Sequence, residues 1–271
     1  HLGHRRILEQ VQALAKANDG ESVVITFDPH PRTVLNPDDT SFKQLSTTQE
    51  KTELLAFAGM DNVVVVPFSK EFSAQSASQY VEDFLIKKFA PRFIVIGYDH
   101  RFGAGREGDI VFLKNYEKTA GFEVLEIPAQ AVAEIAVSSS KIRKALETSN
   151  ITLANSLLGH PYSFSGLVVE GNKVGRDIGF PTANVAVQSP YKLVLPEGIY
   201  AARACVLTEP ADYRTAPTQW IQGALYIGKR PTLSANGVRV IEVNLFDFEG
   251  DLYGQTLQVE VLDFIRSDQK F

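Results

Sequence analysis

The spacing of hydrophobic residues along the chain changes near residue 160. Before that point, stretches with apolar residues every three or four positions alternate with short apolar runs, which predicts helices alternating with buried strands. The predicted helices are 7–15, 48–58, 76–89, 108–120, 139–146 and 150–158, and the predicted strands are 23–27, 62–67, 92–97 and 122–127. Such alternation indicates a parallel sheet with right-handed crossovers, in which ligands bind beyond the carboxyl ends of the strands.

After residue 160, strand-like segments follow one another without helices between them. They are bounded by Gly, Pro, Asn and Asp, and they comprise 162–169, 198–207, 220–227, 238–246 and 257–262. Consecutive antiparallel strands predict a small barrel or a sandwich. The expected fold class is therefore α/β followed by all-β, with one domain at residues 1–150 and a second at residues 151–271.

The composition agrees with two ordinary globular domains. The chain has 271 residues, of which 44% are hydrophobic and 22% are charged, and its net charge is −5. A negative charge argues against nucleic-acid binding, because a surface that follows phosphates is usually basic. Cys205 is the one cysteine, which excludes an intramolecular disulfide, and no apolar run approaches the roughly 20 residues that span a membrane. We therefore expect a cytoplasmic protein with neither nucleic-acid nor membrane partners.

The stretch Gly175–Asn184 has the residue types of a phosphate site. Its two glycines and its proline favour a shaped turn over a helix or a central strand. Thr182 and Asn184 are two positions apart, so in extended backbone their side chains share a face and offer hard oxygen donors for Mg²⁺ beside substrate phosphates. Arg176 and the glycine N–H groups can receive those phosphates. The alternative is a tight turn between two barrel strands, in which Asn184 caps its own backbone.

Two histidines stand at the start of the first predicted helix. His1 and His4 are three positions apart and lie on one helix face, and Gly3 leaves room between them for a phosphate. A helix N-terminus adds free N–H groups and a partial positive charge. Two imidazoles there can stabilise the charge that builds on an α-phosphate during attack. The alternative is the start of an ordinary surface helix.

Five ordered motifs mark the first half of the chain. They are His-Leu-Gly-His at 1–4, Phe-Asp-Pro-His-Pro at 27–31, Gly-Tyr-Asp-His-Arg-Phe-Gly at 97–103, Arg-Glu-Gly-Asp at 106–109 and Ser-Ser-Ser-Lys-Ile-Arg at 138–143. The first resembles the His-x-Gly-His signature of nucleotidylyltransferases. Together they resemble the adenylyltransferase half of the prokaryotic bifunctional riboflavin kinase/FMN adenylyltransferase (FAD synthetase) family, which implies a Rossmann-like nucleotidylyltransferase domain with a parallel sheet.

The resemblance also implies roles for individual residues of this half. It places His1 and His4 at the ATP phosphates and the transition state, Pro29 and His30 at the phosphate end of the FMN site, Asp99 at the nucleotide, and Ser138, Ser139 and Arg143 at phosphates on a second helix start. Arg143 suits this role because a guanidinium can grip phosphate oxygens with two hydrogen bonds. Two residues keep an alternative structural role, since Asp109 can cap its helix and His30 can brace its proline-fixed turn.

The second half resembles a riboflavin kinase domain over essentially its whole length. The motifs that carry this resemblance are Leu-Gly-His-Pro-Tyr at 158–162, Gly-Leu-Val-Val-Glu-Gly at 166–171, Pro-Thr-Ala-Asn at 181–184, Leu-Pro-Glu-Gly-Ile-Tyr at 195–200, Tyr-Ile-Gly-Lys-Arg-Pro-Thr at 226–232, Ile-Glu-Val-Asn-Leu-Phe-Asp-Phe at 241–248, Asp-Leu-Tyr-Gly at 251–254 and Ile-Arg at 265–266. They occur in the family's order. The resemblance implies an antiparallel Greek-key barrel of the riboflavin kinase type.

The same resemblance implies a kinase site in the second half. It assigns Mg²⁺ and ATP phosphate to Thr182 and Asn184, further phosphate contacts to Gly171, Gly175 and Arg176, the general base to Glu242, and the flavin side to Arg266. A base is required because the ribityl 5′-hydroxyl is a weak nucleophile that must lose its proton as it attacks. The alternatives are an exposed strand carboxylate for Glu242 and an ordinary surface charge for Arg266.

The chain departs from the family pattern in several places. The family has a strand and a glycine turn before His-x-Gly-His and a helix after the Ile-Arg motif, so we expect the first domain to lack that strand and the second to lack that helix in this numbering. Ser140 stands in place of threonine, His160 in place of arginine and Asn244 in place of histidine. We expect none of these three replacements to alter the chemistry.

The sequence therefore predicts one chain with two magnesium-dependent activities. ATP and Mg²⁺ are the implied co-substrate and metal, riboflavin, FMN and FAD are the implied flavin ligands, and a homo-oligomer is left open. One rival is a nucleotidylyltransferase for another phosphorylated substrate, with the barrel as a binding module. Thr182, Asn184 and Glu242 together in the barrel speak against it, because a binding module needs no base. The other is a non-catalytic flavin-binding regulator, and the presence of His1, His4, Asp99 and Arg143 speaks against that.

Overall fold

The computed structural model covers the 271 residues and forms two compact units. It describes residues 1–127, 138–171, 181–207, 219–230 and 238–268. The unit that we call the α/β unit consists of Gly3–Phe42 and Met60–Val137. The unit that we call the barrel unit consists of His1–Leu2, Lys43–Gly59 and Ser138–Phe271.

Helices and strands follow one another through the described residues in the expected order. The helices are α1 (Leu2–Ala17), α2 (Pro31–Leu35), α3 (Thr48–Phe57), α4 (Lys70–Ser73), α5 (Ala77–Gln79), α6 (Lys87–Phe89), α7 (Ile110–Ala120), α8 (Ser139–Glu147) and α9 (Ile151–Leu158). The strands are β1 (Val23–Asp28), β2 (Asn62–Pro67), β3 (Phe93–Gly97), β4 (Glu123–Ile127), β5 (Tyr162–Val169), β6 (Ala183–Ala186), β7 (Gly198–Leu207), β8 (Ile221–Arg230), β9 (Val238–Leu245) and β10 (Thr256–Arg266). Among the described helices, none is long and apolar enough to cross a membrane.

The α/β unit contains the predicted parallel strand pairing. β1 pairs with β2 and β3 pairs with β4, each in parallel and each as a two-stranded sheet. Helical segments connect both pairs, as parallel strands require a crossover. The predicted helix 76–89 is not a uniform α-helix, because α5 passes through a π-helical segment, Tyr80–Ile86, before α6 begins. An aromatic cluster surrounds this segment, with the ring of Tyr80 5.3 Å from those of Phe84 and Phe102.

The barrel unit contains a closed barrel of six antiparallel strands. Their order around the barrel is β10-β5-β6-β9-β8-β7, and β7 pairs back to β10. β7, β8 and β9 are consecutive neighbours and β10 returns to lie beside β7, which is the Greek-key arrangement. Alternate residues of β5, β7 and β10 are buried, as expected for strands with one face towards a core. The predicted Greek-key barrel is thereby confirmed.

One short strand corrects the interpretation of the stretch Gly175–Asn184. Residues 172–180 lie outside the described residues, but Ala183 and Asn184 open β6. β6 lies between β5 and β9, so the end of the stretch is a central strand of the barrel and not a turn outside the sheet. The local signal was weak because β6 has four residues and includes two alanines, which favour strands poorly.

A buried ion pair joins α3 to the barrel strands within the barrel unit. Glu50 helps to cap the N-terminus of α3, because its side chain accepts a hydrogen bond from the Thr47 N–H at 2.9 Å and completes a capping box. The same carboxylate binds the Lys192 ammonium at 2.5 Å and accepts from the Ser165 N–H at 3.0 Å. The Lys192 side chain is 1% exposed. Segment 43–59 is therefore a structural part of the barrel unit, although it precedes the barrel by about a hundred residues.

Candidate active sites

The registers of four strand pairs place five residues in one row across the barrel. Asn184 on β6 lies opposite Glu242 on β9, Glu242 lies opposite Tyr226 on β8, Tyr226 lies opposite Ile199 on β7, and Ile199 lies opposite Arg266 on β10. Residues that lie directly opposite one another share a face of the sheet. The residues next to this row along each strand point to the opposite face and are buried: Ala183, Val243, Leu225 and Tyr200. The row therefore lies on the outer face of the barrel.

Thr182 lies beside this row at the entry of β6. Its hydroxyl donates to Oε2 of Glu242 at 3.4 Å, a long and therefore weak hydrogen bond. Thr182, Asn184 and Glu242 thus come together in space, as the family resemblance implied, and their roles stay predictions. Hydroxyl, amide and carboxylate oxygens are the hard donors that Mg²⁺ accepts when it also binds substrate phosphates.

The donor set fits a metal that is shared with a substrate. Among the described residues, no group of three or more His, Cys, Asp or Glu side chains could hold a metal ion by itself. Mg²⁺ usually keeps several water ligands and binds one or two protein oxygens together with phosphate oxygens. Thr182 and Asn184 match that pattern. Gly175 and Arg176, the other predicted phosphate residues of this stretch, lie outside the described residues.

Gly171 allows the backbone to approach the side chain of Asn184. A Cβ atom added at position 171 would lie 2.6 Å from Cγ and 2.9 Å from Oδ1 of Asn184, and it would also overlap Nδ2. A side chain at this position therefore requires the Asn184 amide to move. The requirement for glycine here is steric, and it comes from the close approach of residue 171 to a predicted metal and phosphate ligand.

Asn244 holds the segment that carries Thr182. Its Nδ2 donates to the Pro181 carbonyl at 2.8 Å. The ladder between β6 and β9 has two residue pairs, Ala183 with Val243 and Asn184 with Glu242, and the Asn244 side chain extends the connection beyond them. Sequence reasoning treated this residue as a neutral replacement. The contact that it makes depends on the packing of β9 against the entry of β6.

The predicted adenylyltransferase residues begin at α1. His1 directly precedes α1 and His4 lies in its first turn, as the helical spacing predicted. Gly3 is buried between them and His4 is exposed. An exposed imidazole one turn into a 16-residue helix is compatible with both interpretations, a phosphate site and the start of a surface helix.

Pro29 and His30 form the turn after β1. The peptide bond between Asp28 and Pro29 is cis. His30 caps α2, because its Nδ1 accepts from the Arg32 N–H at 3.1 Å, and its ring centre lies 4.8 Å from that of Phe42. These contacts are those of the bracing role that the sequence left open. A contact with the flavin phosphate stays a prediction.

The loop that carries Asp99 is closed by its own residues. Phe102 and Gly108 form an antiparallel bridge, and a side chain at position 108 would collide with the Phe102 ring. Asp109 caps α7 by accepting from the Phe112 N–H at 2.9 Å and also forms an ion pair with Arg101. Asp109 is therefore a helix cap, the structural alternative considered above. The motif residues 97–109 shape the loop at the carboxyl end of β3, where Asp99 lies.

Two of the three predicted phosphate residues on α8 have partners within the barrel unit. Ser138 caps α8, since its hydroxyl accepts from the Lys141 N–H at 3.2 Å. Ser139 is the first residue of the helix, and Nε of Arg143 donates to the Lys43 carbonyl at 2.7 Å. The predicted helix start is confirmed, and the role of these residues in phosphate binding stays a prediction.

Comparison with known proteins identifies both halves. A model of the FAD synthetase family matches residues 1–141, and a model of the riboflavin kinase family matches residues 158–271. The chain is 36% identical over 272 residues to the bifunctional riboflavin kinase/FMN adenylyltransferase of Escherichia coli strain K12, which covers 100% of this chain and 82% of that protein. The protein of the same name from Listeria monocytogenes is 34% identical, with coverages of 100% and 82%. The chain belongs to the bifunctional riboflavin kinase/FMN adenylyltransferase family.

The fold of this family member also resembles a solved structure. A crystal structure named a macrolide-efflux protein from Streptococcus pneumoniae matches with a TM-score of 0.82 and 30% identity, and the match covers 100% of this chain and 84% of that one. This likeness supports the arrangement of helices and strands. The sequence resemblance that implied the family is thus confirmed by independent matches to both halves.

Membership of the family does not by itself explain every residue of the barrel site. Tyr226 occupies the position between Glu242 and Ile199 in the outer-face row, and the sequence assigned it no role although it opens the motif at 226–232. The signal that could have found it is register: Tyr226 and Glu242 become neighbours only when β8 and β9 pair with the observed offset.

Proposed function

We propose that the outer-face row of the barrel is the site at which riboflavin is phosphorylated by ATP, giving FMN and ADP. The residues matched by the FAD synthetase model would then transfer the adenylyl group of a second ATP to FMN, giving FAD and pyrophosphate. The observation that carries the kinase assignment is the convergence of Thr182, Asn184 and Glu242 at the junction of β6 and β9. A pair of oxygen ligands beside a carboxylate base is what phosphoryl transfer to a hydroxyl requires.

In the kinase reaction, Glu242 accepts the proton of the ribityl 5′-hydroxyl as its oxygen attacks the γ-phosphorus. The bond from the γ-phosphorus to the bridging oxygen of ADP breaks, and ADP leaves with that electron pair. Thr182 and Asn184 would hold Mg²⁺ and the ATP phosphates. When bound, the ion neutralises charge on the phosphate oxygens. Gly171 keeps the Asn184 amide in place, and Asn244 keeps Thr182 in reach of Glu242.

In the adenylyltransferase reaction, a phosphate oxygen of FMN attacks the α-phosphorus of ATP and pyrophosphate departs. The attacking oxygen carries no proton at neutral pH, so the step depends on positioning and charge neutralisation more than on a base. His1 and His4 would donate to the phosphate oxygens at the N-terminus of α1, whose positive dipole end adds to the same effect. Asp99, Ser138, Ser139 and Arg143 would fix the nucleotide, and Pro29 and His30 would contact FMN.

The two family matches support separate domains for the two reactions. The first ends at residue 141 and the second begins at residue 158, and the expected boundary at 150/151 lies between them. Both reactions consume ATP, which supports the expectation of a cytoplasmic enzyme. Whether the chain assembles into a homo-oligomer is decided by measuring its mass in solution.

The test separates the two activities in the intact chain. Riboflavin and MgATP are supplied, and the flavins are separated over time, with FMN expected before FAD. Glu242→Gln should abolish FMN formation while FMN supplied directly is still converted to FAD. His4→Ala should do the reverse, with a loss of roughly two to four kcal/mol in transition-state stabilisation if it acts as a donor to the developing charge. Loss of both activities in either variant, or no flavin product from the unaltered chain, would refute the proposal.

A further inference from the structure

The aromatic ring of Tyr226 lies flat along β8 beside the predicted base. A Cβ atom at position 228 would lie 2.8 Å from Cε1 of Tyr226 and would overlap its Cζ and hydroxyl oxygen. The phenol therefore covers Gly228, which is buried although it lies on the outer face of β8. Gly228 is two positions from Tyr226 along β8 and therefore lies on the same face. The ring points from Tyr226 towards Gly228, which pairs with Val240 of β9.

The hydroxyl end of this ring is also held in place. It donates to Oδ2 of Asp268 at 2.9 Å. Burial of the phenol, together with the Asp268 and Glu242 carboxylates, raises the pKa of Tyr226 to about 12. The phenol is protonated at neutral pH, as any tyrosine is, and donates this hydrogen bond. Contact with Gly228 on one side and the bond to Asp268 on the other leave a partly exposed aromatic face in a defined orientation.

The direction of the ring distinguishes two sides of Glu242. β6 runs antiparallel to β9 and Ala183 lies opposite Val243, so Thr182 is displaced from Glu242 towards Asn244. The ring of Tyr226 extends the other way, towards Val240. The predicted metal and phosphate ligands and the aromatic ring therefore lie on opposite sides of the carboxylate along the strand direction.

We propose that Tyr226 forms the acceptor side of the kinase site and positions the flavin of riboflavin for attack. This inference rests on the proposed kinase function. In transfer of a phosphoryl group, the acceptor approaches in line and from the side opposite the leaving nucleotide. With the nucleotide on the Thr182 side, the acceptor lies on the Tyr226 side. A preoriented aromatic face suits an aromatic acceptor, because little side-chain entropy is lost when the flavin packs on it.

The experiment measures steady-state kinetics of FMN formation in the intact chain. Tyr226→Leu removes the aromatic face while keeping apolar volume, and Tyr226→Phe keeps the face while removing the hydroxyl. Tyr191→Leu is the matched control, because Tyr191 is another partly exposed tyrosine of the barrel unit, at 37% exposure. Conversion of supplied FMN to FAD is followed in each variant as an internal control.

Tyr226→Leu should raise the KM for riboflavin about 10-fold, because leucine keeps apolar volume but lacks the flat aromatic face on which the flavin packs. Its KM for MgATP, and FMN adenylylation, should stay within about twofold. Tyr226→Phe and Tyr191→Leu should leave the riboflavin KM within about threefold. An unchanged riboflavin KM in Tyr226→Leu, or an equal rise in the KM for MgATP, would overturn the inference. Failure of the kinase proposal would give a different result, namely that the Glu242→Gln variant still forms FMN.

Discussion

The buried pair of Glu50 and Lys192 allows a quantitative prediction about the barrel unit. The Lys192 ammonium is within 2.7 Å of the Leu45 carbonyl, 2.5 Å of the Glu50 carboxylate and 2.6 Å of the Ser163 carbonyl, so each of its three N–H groups has an acceptor. Burial lowers the pKa of Lys192, while Glu50 acts in the opposite direction. The charge is therefore tolerated in the interior because its counter-ion is there.

Glu50→Gln tests that statement with little change in shape. The glutamine oxygen can still accept from the Thr47 N–H, so the capping box of α3 can survive the change. What is lost is the negative charge and one of the two acceptor oxygens, the one that accepts from the Ser165 N–H, so the buried ammonium keeps neutral acceptors alone. Removing one partner of a buried pair typically costs about 3–5 kcal/mol, and we expect a loss of that size in the stability of the barrel unit.

The chain offers a built-in probe for the measurement. Trp220 is its one tryptophan and lies in the barrel unit, where the guanidinium of Arg203 stands 4.7 Å from its ring centre. Urea unfolding followed by tryptophan fluorescence therefore reports on the barrel. With an m-value of about 2 kcal/mol/M, the expected loss lowers the midpoint by about 1.5–2.5 M.

Three further measurements make the prediction refutable. Glu50→Gln combined with Lys192→Met should recover most of the loss, because no buried charge is then left unpaired. Thr47→Ala should cost only about 1 kcal/mol, the usual value of a helix cap. The deficit of Glu50→Gln should also shrink between pH 7 and 10. In this range the native variant has lost the Lys192 proton more completely than the unfolded chain, so its stability rises with pH. A loss under about 1 kcal/mol, or no recovery in the double variant, would refute the argument.

Two smaller perturbations address the kinase site. Asn244→Ala should raise the KM for MgATP in FMN formation about fivefold, the equivalent of one hydrogen bond of about 1 kcal/mol. The control is Gln222→Ala, an exposed residue on the neighbouring strand β8, which should leave this KM unchanged. Equal effects of the two changes would contradict a specific role for the bond to Pro181. Gly171→Ala should reduce the rate of FMN formation by about 10-fold or more, because the added methyl displaces the Asn184 amide. Conversion of supplied FMN to FAD is the control. Full kinase activity in this variant would show that the close approach is not needed.

The sequence by itself determined the class of fold and the order of its elements. The change from helical spacing to consecutive strands marked the two halves, and most predicted elements agree with the observed ones to within two or three residues. Motifs of a few residues also identified both activities and placed the two histidines at the start of α1. These features can be predicted from the sequence because each depends on residues that are close together in the chain: the period of a helix or strand, the residues of a turn, or the cap of a helix.

The tertiary structure alone decided which distant residues meet. It placed Ala183 and Asn184 in a central strand, put Lys192 against Glu50 across 142 positions of sequence, and aligned Tyr226 with Glu242. Each of these contacts depends on the register between strands or on which charged residue packs against a buried one. Pairing between segments far apart in sequence sets both, and a local pattern of polar and apolar residues does not encode that pairing.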